Sequence, residues 1–125
     1  MKLTDLNDPK YVALETFKKN GDAVNTPVWI IKENANFYVW TPADSWKVKR
    51  IRNNPRVRLA ISDSRGNPTG EWMEAQARVV DDPAAEPKIR DQLVKKYGLF
   101  ARLIRVYNAL FQRGKTATVL EISDI

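Results

Sequence analysis

Hydrophobic and polar residues alternate along several short stretches of the chain, which is the pattern of β-strands with one buried face. In the run FYVWT, Phe37, Val39 and Thr41 fall on one face of a strand, and Tyr38 and Trp40 fall on the other. The pattern predicts strands over residues 11–18, 23–32, 37–41, 56–62, 71–80 and 115–123. The protein is therefore predicted to be mainly β.

Two of these strands show the period of two most clearly. The residues predicted to face the core are Val57, Leu59 and Ile61 in the first of them and Met73, Ala75, Ala77 and Val79 in the second. The run RGNPTG between them is rich in turn-forming residues. We expect both strands to lie in one sheet with these faces buried.

Turn residues divide the amino-terminal part of the chain into three strands that form an antiparallel meander. Asn20 and Gly21 tolerate positive φ and predict a hairpin between the first two strands. Residues 34–36 turn the chain again. Pro27 lies inside the second strand and cannot donate a ladder hydrogen bond, so we expect a bulge or an unpaired edge there, where backbone could face a ligand.

Three stretches have helical periodicity instead. A short helix follows the third strand, with Asp44 or Ser45 as its N-cap and its end before Pro55. A pair of helices is predicted over residues 84–97 and 99–114, where apolar residues recur every three or four positions. This arrangement predicts a small β-barrel with helices packed outside it, formed by the whole chain of 125 residues as one domain.

Composition limits the chemistry that the side chains can perform. The chain has no histidine and no cysteine, so it lacks the commonest metal ligands and the commonest general base. Zinc sites, thiol nucleophiles and Ser-His-Asp triads are excluded, and no metal site is predicted. If the protein is an enzyme, we expect a cofactor to supply the reactive group.

The net charge of +6 favours an anionic partner, which is a nucleic acid, a membrane surface or an acidic small molecule. No stretch approaches the roughly 20 apolar residues that span a bilayer, and the amino-terminal run MKLTDLNDPK lacks an apolar signal core. We therefore predict a cytoplasmic location without membrane attachment.

Much of the positive charge lies in the predicted short helix, in the run WKVKRIR. At about 100° per residue, Val48 and Ile51 form its buried stripe. Lys47 and Arg50 lie on one flank of the stripe and, at positions i and i+3, can converge on one anion. The other flank, which is predicted to face solvent, carries Lys49 and Arg52.

Lys47 and Arg50 lie in the first turns of this helix, where backbone N–H groups and the helix dipole favour negative charge. Thr41 and Ser45 add hydroxyl donors nearby. Together these four residues resemble a phosphate cradle. The alternative is that the basic residues only solvate an amphipathic helix, and the residues by themselves leave both interpretations open.

The chain contains four tryptophans, Trp29, Trp40, Trp46 and Trp72. Burial in the core is the usual role of any one of them. Trp29 and Trp40 lie on neighbouring predicted strands, however, and Trp46 lies away from the buried stripe of the helix. At least one is therefore expected to line a pocket or a subunit interface.

Four runs in this order, TPVWI, NFYVWT, DSWKVKRIRNNPRVRLAISDSRG and GEWMEAQARVV, resemble the split β-barrel flavoproteins. Residues 11–82 are most similar to the flavin/deazaflavin oxidoreductases related to pyridoxamine 5′-phosphate oxidase, and to their subgroup that depends on deazaflavin coenzyme F-420. The resemblance implies a six-stranded antiparallel split β-barrel with flanking helices. It also implies a homodimer that binds FMN or F-420 in a groove at the subunit interface.

The cofactor-binding residues implied by the resemblance are Val28, Trp29 and Trp40 beside the ring, and Thr41, Ser45, Lys47 and Arg50 at the phosphate. Trp46 stands where the oxidase has an arginine, and the oxidase's substrate-binding histidine is missing. Activity as the oxidase itself is therefore not expected. The surplus positive charge would suit the polyanionic glutamate tail of F-420, which slightly favours the deazaflavin over FMN.

The sequence thus predicts a homodimeric oxidoreductase that transfers hydride between FMN or F-420 and a small organic substrate, with no nucleic-acid partner. Two alternatives stay open. One is a small nucleic-acid-binding β-barrel, in which the basic run follows the phosphates and the tryptophans stack on bases. The other is a flavin-binding carrier or sensor without turnover.

Overall fold

The computed structural model of the protein describes residues 3, 6, 9–97 and 117–125. The elements in these residues are β1 Val12–Phe17, β2 Ala23–Val28, β3 Ile31–Glu33, β4 Asn36–Pro42, α1 Trp46–Asn53, β5 Arg56–Ile61, β6 Met73–Val80, α2 Ala85–Tyr97 and β7 Ala117–Ser123. The predicted helix over residues 99–114 and the first two residues of the predicted last strand lie outside the described residues. The prediction of a mainly β protein with flanking helices is confirmed.

The seven described strands belong to one antiparallel sheet in the order β2-β1-β5-β6-β7-β4-β3. The two edge strands, β2 and β3, follow each other in the chain and are joined by Trp29 and Ile30 alone. Because so short a connection spans only about 10 Å, the end of one edge strand must lie close to the start of the other. The sheet is therefore curled into a half-barrel.

The predicted strand count of six is wrong, because the expected strand over residues 23–32 is divided into two strands. β2 ends at Val28 and pairs with β1, whereas β3 begins at Ile31 and pairs with β4. The simple meander is thus replaced by two hairpins at opposite edges of the curled sheet. Pro27 lies next to the break on β2, which is an edge strand among the described strands, so the predicted edge position is confirmed for this part of the chain.

The alternating faces predicted from the sequence form the core, with one exception. Val57, Leu59, Met73, Ala75 and Ala77 are buried as predicted, and Val79 is partly buried against them. Phe37, Val39 and Thr41, which were predicted to share a face, are buried together. Ile61, which was predicted to face the core, is 37% exposed. It is the last residue of β5, and its neighbour across the following loop is Gly70, which has no side chain to cover it.

The two described helices pack against the curled sheet and position the site. Val48 and Ile51 of α1 are each only 2% exposed, as the helical wheel predicts, and α1 contacts β1 and β6. Ser45 is the N-cap of α1. Ile89 and Leu93 of α2 are buried in a second core cluster, where α2 contacts β3, β4 and β7. Neither of these helices has the length and apolar character needed to cross a membrane.

Candidate functional site

A cavity of about 230 Å³ is lined by residues from β2, β4, α1 and α2 and from the link after β2. Five of the seven residues predicted to hold a cofactor line it, namely Val28, Trp29, Trp40, Thr41 and Lys47. We call it the Lys47 cavity, because Lys47 is the one charged residue among the described residues that line it. The fold therefore brings together most of the predicted set.

Lys47 carries its ammonium group into a partly dry environment. Burial lowers the pKa of Lys47, and repulsion by the Arg50 guanidinium lowers it further. None of the ion pairs within the described part of the chain involves Lys47. An anionic ligand would supply the opposite charge that the described residues do not, so the cavity favours an anion.

Thr41 and Ser45 place two hydroxyl groups at the start of α1. Thr41 is buried near the end of β4, and its Oγ1 lies 3.5 Å from Ser45 Oγ. The Ser45 side chain makes no capping hydrogen bond to α1 although Ser45 is the N-cap. The first-turn N–H groups of α1 therefore lack a side-chain acceptor from the N-cap and are suited to an anion.

Two tryptophans, Trp29 and Trp40, line the Lys47 cavity. Trp40 donates a hydrogen bond from Nε1 to Glu86 Oε1 of α2 over 3.0 Å, and Arg90 donates to the same oxygen over 3.2 Å. Trp29 packs with Trp40 against the core cluster beneath α2. Tryptophans in a cavity lining can supply apolar surface for a planar ring system.

The wall formed by β2 is supported by the loop between β5 and β6. Pro27 lines the Lys47 cavity, and Gly66 of the loop packs against Pro27. A Cβ atom on Gly66 would lie 3.1 Å from Pro27 Cδ, and Gly66 has a φ of +88°. Glycine is required here for its backbone angle and for the close approach to Pro27.

Arg50 lies in the lining of a different cavity, between the β1–β2 turn and α1, with a volume of about 510 Å³. Lys49, which the helical wheel turns toward solvent, lines this second cavity too, with its ammonium 4.5 Å from the centre of the Trp46 ring. Lys49 is exposed, as predicted, and its contact with the indole ring is a cation–π interaction. Arg50 is close enough to affect the pKa of Lys47, but the two cations do not line one cavity.

Some residues of the site were not predicted from the sequence. Val39, Pro42 and Leu93 also line the Lys47 cavity, and Glu86 holds one of its walls. The apolar stripe of α2 signals that Leu93 is buried, but not against which strands. Glu86 carries no signal in the sequence, because its partner lies far away along the chain.

Solved structures that share this fold include a heme storage protein, a reductase and a FAD-binding protein. The heme storage protein HutZ from Vibrio cholerae is 12% identical, with a TM-score of 0.67 over 94% of this chain and 83% of its own. An F420-H2 dependent reductase, FDR-A, is 17% identical, with a TM-score of 0.61 over 94% and 97% of the two chains. A FAD-binding protein from Mesorhizobium loti is 15% identical, with a TM-score of 0.56 over 92% and 78%. At these identities the likeness shows the fold alone.

Comparison of the sequence with protein families identifies the family of the chain. No curated protein matches the chain in sequence. The family model described as pyridoxamine 5′-phosphate oxidase matches residues 3–122, a range that contains every residue lining the two cavities. The chain therefore belongs to the pyridoxamine 5′-phosphate oxidase family.

Proposed function

We propose that the protein is an oxidoreductase that binds FMN or deazaflavin coenzyme F-420 in the Lys47 cavity and transfers hydride to or from a small organic substrate. The observation that carries the proposal is a partly buried lysine, without an ion-pair partner among the described residues, in a cavity lined by two tryptophans. Both cofactors join a flat ring to a phosphate group. The cavity offers Trp29 and Trp40 for the ring and Lys47 for the phosphate.

Four residues of the Lys47 cavity, and Ser45 beside it, have roles in this proposal. Lys47 holds the phosphate by a charge-assisted hydrogen bond, and Thr41 and Ser45 add hydroxyl donors. Trp29 and Trp40 orient the ring and exclude water from it. The bound ring supplies the hydride chemistry, which explains how a chain without histidine or cysteine could carry out such a reaction.

Family membership and two of the structural relatives support a flavin-type cofactor. The relatives are named as an F420-H2 dependent reductase and a FAD-binding protein. The third is named as a heme storage protein, so the fold does not fix the ligand by itself. The residues of the Lys47 cavity therefore carry the argument.

Replacement of Lys47 tests the proposal at the residue on which it depends. We expect Lys47→Ala to weaken the binding of FMN or F-420 by about 1.5–3 kcal/mol, the size of a charge-assisted hydrogen bond, with the fold intact. Both proteins are titrated with each cofactor while tryptophan fluorescence is followed. Lys95→Ala removes an exposed lysine of α2 and is expected to bind like the wild type.

The same experiments decide between the remaining alternatives. Equal affinities of the wild type and Lys47→Ala for both cofactors would contradict the assignment. The absorption spectrum of the purified protein identifies a cofactor that copurifies, because FMN and F-420 have different visible bands. Repeated turnover with an added acceptor supports the oxidoreductase, whereas binding without turnover supports a carrier or sensor.

A further inference from the structure

Four basic side chains line the second cavity, which we call the basic cavity. Lys18 and Lys19 come from the turn between β1 and β2, and Lys49 and Arg50 come from α1. The described lining contains no acidic residue. Each ion pair that the described residues form joins a glutamate to some other basic residue, so none of them neutralises these four.

This grouping of like charges favours a ligand that carries several negative charges. Neighbouring cations repel one another, and a polyanion relieves several of these repulsions at once. The volume of the basic cavity, about 510 Å³, lies within the range of roughly 300–1,000 Å³ that is usual for small-molecule sites. Its size and charge therefore fit one small polyanion.

Aromatic side chains add a second feature to the basic cavity. Trp46 lines it and is 68% exposed, which is unusual for so large an apolar side chain. Phe17 lines the cavity from the end of β1, and Asn53 adds an amide that can donate and accept hydrogen bonds. The Lys49 ammonium lies over the indole on one side, and the other side of the exposed ring offers a surface on which a planar ring can stack.

The basic cavity is separate from the Lys47 cavity, because the two share no lining residue. α1 contributes to both, with Lys47 in one lining and Trp46, Lys49, Arg50 and Asn53 in the other. A ligand in the basic cavity would therefore occupy a second site beside the proposed cofactor.

We propose that the basic cavity binds a nucleoside polyphosphate, with its phosphates against Lys18, Lys19 and Arg50 and its base stacked on Trp46. Such a molecule combines a planar ring with several adjacent negative charges, which the lining complements. A single-stranded nucleic acid would instead need an extended groove with aromatic side chains for successive bases. The basic cavity has one exposed tryptophan in its described lining, which suits one base with its phosphates. The proposal does not depend on the oxidoreductase function.

Calorimetric titration with ATP, inorganic pyrophosphate and adenosine tests which parts of the ligand are recognised. We expect ATP to bind more tightly than pyrophosphate and adenosine to bind most weakly. Lys18→Ala/Lys19→Ala is expected to lose about tenfold or more in affinity for both ATP and pyrophosphate, because charge-assisted contacts are removed. Trp46→Ala is expected to reduce ATP binding to the level of pyrophosphate, with pyrophosphate binding unchanged.

A control double variant also removes two positive charges, but from positions outside the basic cavity. Arg52 and Lys95 are exposed and lie outside the basic cavity, so Arg52→Ala/Lys95→Ala is expected to bind ATP like the wild type. An equal loss in the two double variants would show that only net charge matters and would overturn the proposal. Equal affinity of the wild type for ATP and pyrophosphate, or no binding of either, would overturn it as well.

Two further titrations separate this site from its alternatives. Tighter binding of a single-stranded oligonucleotide than of ATP, with steep salt dependence, would replace the proposal with a nucleic-acid surface. FMN and F-420 are then titrated into Lys18→Ala/Lys19→Ala. Unchanged cofactor binding together with lost ATP binding supports a second site, whereas loss of F-420 binding would assign these cations to the cofactor tail and overturn the proposal.

Discussion

At Lys47, two effects act on one ammonium group, because burial removes part of its water and the Arg50 guanidinium repels it. Both favour the neutral amine, so the pKa of Lys47 lies below that of an exposed lysine. The charged form is lost as the pH rises through this lowered pKa. A bound phosphate has the opposite effect, because it stabilises the ammonium and raises the pKa of Lys47 in the complex.

Cofactor affinity is therefore predicted to fall in the alkaline range. By linkage, affinity is constant below the pKa of Lys47 in the cofactor-free protein and declines between that pKa and the higher pKa in the complex. FMN titrations from about pH 7 to about pH 10 measure the decline. In Lys47→Arg the decline should disappear, because a guanidinium stays protonated. A decline of the same shape in this variant would show that a different group titrates.

Glu86 is predicted to position Trp40 without touching the cofactor. Glu86→Ala removes the acceptor of the Trp40 Nε1–H bond and is expected to weaken cofactor binding about tenfold, near the value of one hydrogen bond to a charged group. Glu86→Gln keeps an oxygen acceptor and is expected to retain most of the affinity. Titrations of both variants with FMN and F-420 measure this difference. Equal losses would contradict a role for the hydrogen bond.

At the scale of elements, two glycines separate backbone strain from side-chain contact. Gly66 and Gly21 both have positive φ, but an added Cβ meets Pro27 only at Gly66, and at Gly21 it meets nothing within 4 Å. Both alanine variants are expected to lose about 1–2 kcal/mol of unfolding free energy from the unfavourable φ. Gly66→Ala is expected to lose more and to weaken cofactor binding, because the added methyl group displaces Pro27 from the wall of the Lys47 cavity.

Urea unfolding and cofactor titration of the two glycine variants measure these effects separately. Gly21→Ala is the control, since it introduces the same backbone strain without the contact with Pro27. Its affinity for cofactor should equal that of the wild type. Identical unfolding free energies and identical affinities in the two variants would show that the loop between β5 and β6 does not support the cavity.

Most strands were predictable because the alternation of a strand depends on its own residues. The bounds of β4, β5 and β6 lie within two residues of those predicted from periodicity. The division of residues 23–32 was not predictable in this way. The break after Val28 depends on the position of the opposite sheet edge, which all seven strands determine together. Pro27 indicated where the strand is interrupted, but not why it is interrupted there.

The candidate site was predictable to the same extent. The burial of Val48 and Ile51 follows from the geometry of α1 alone, and the helical wheel predicted it correctly. The direction of Arg50 depends also on the β1–β2 turn, which brings Lys18 and Lys19 to the same cavity. No local pattern in α1 contains that information. Residue types could therefore be predicted for the site, but not their division between two cavities.

At the scale of the whole molecule, the curl of the sheet determines where the Lys47 cavity forms. The chain crosses from one sheet edge to the other at Trp29 and Ile30, and Trp29 lines the cavity. The volume of about 230 Å³ is below the roughly 300–1,000 Å³ of usual small-molecule sites. The described residues of one chain therefore supply only part of the enclosure that a cofactor needs.

A second copy of the chain is predicted to complete the site, so that cofactor binding and dimerisation are linked. A cofactor that contacts both chains stabilises the dimer by about 2.7 kcal/mol at a concentration of a hundred times Kd, which is about a hundredfold in dimer affinity. Sedimentation velocity at serial dilutions, with and without FMN or F-420, measures this shift. Without cofactor, Lys47→Ala should dimerise like the wild type at every dilution. With cofactor, the increase in dimer affinity should be smaller in Lys47→Ala than in the wild type. A monomer that binds one cofactor with undiminished affinity at all dilutions would show that a single chain encloses the cofactor by itself.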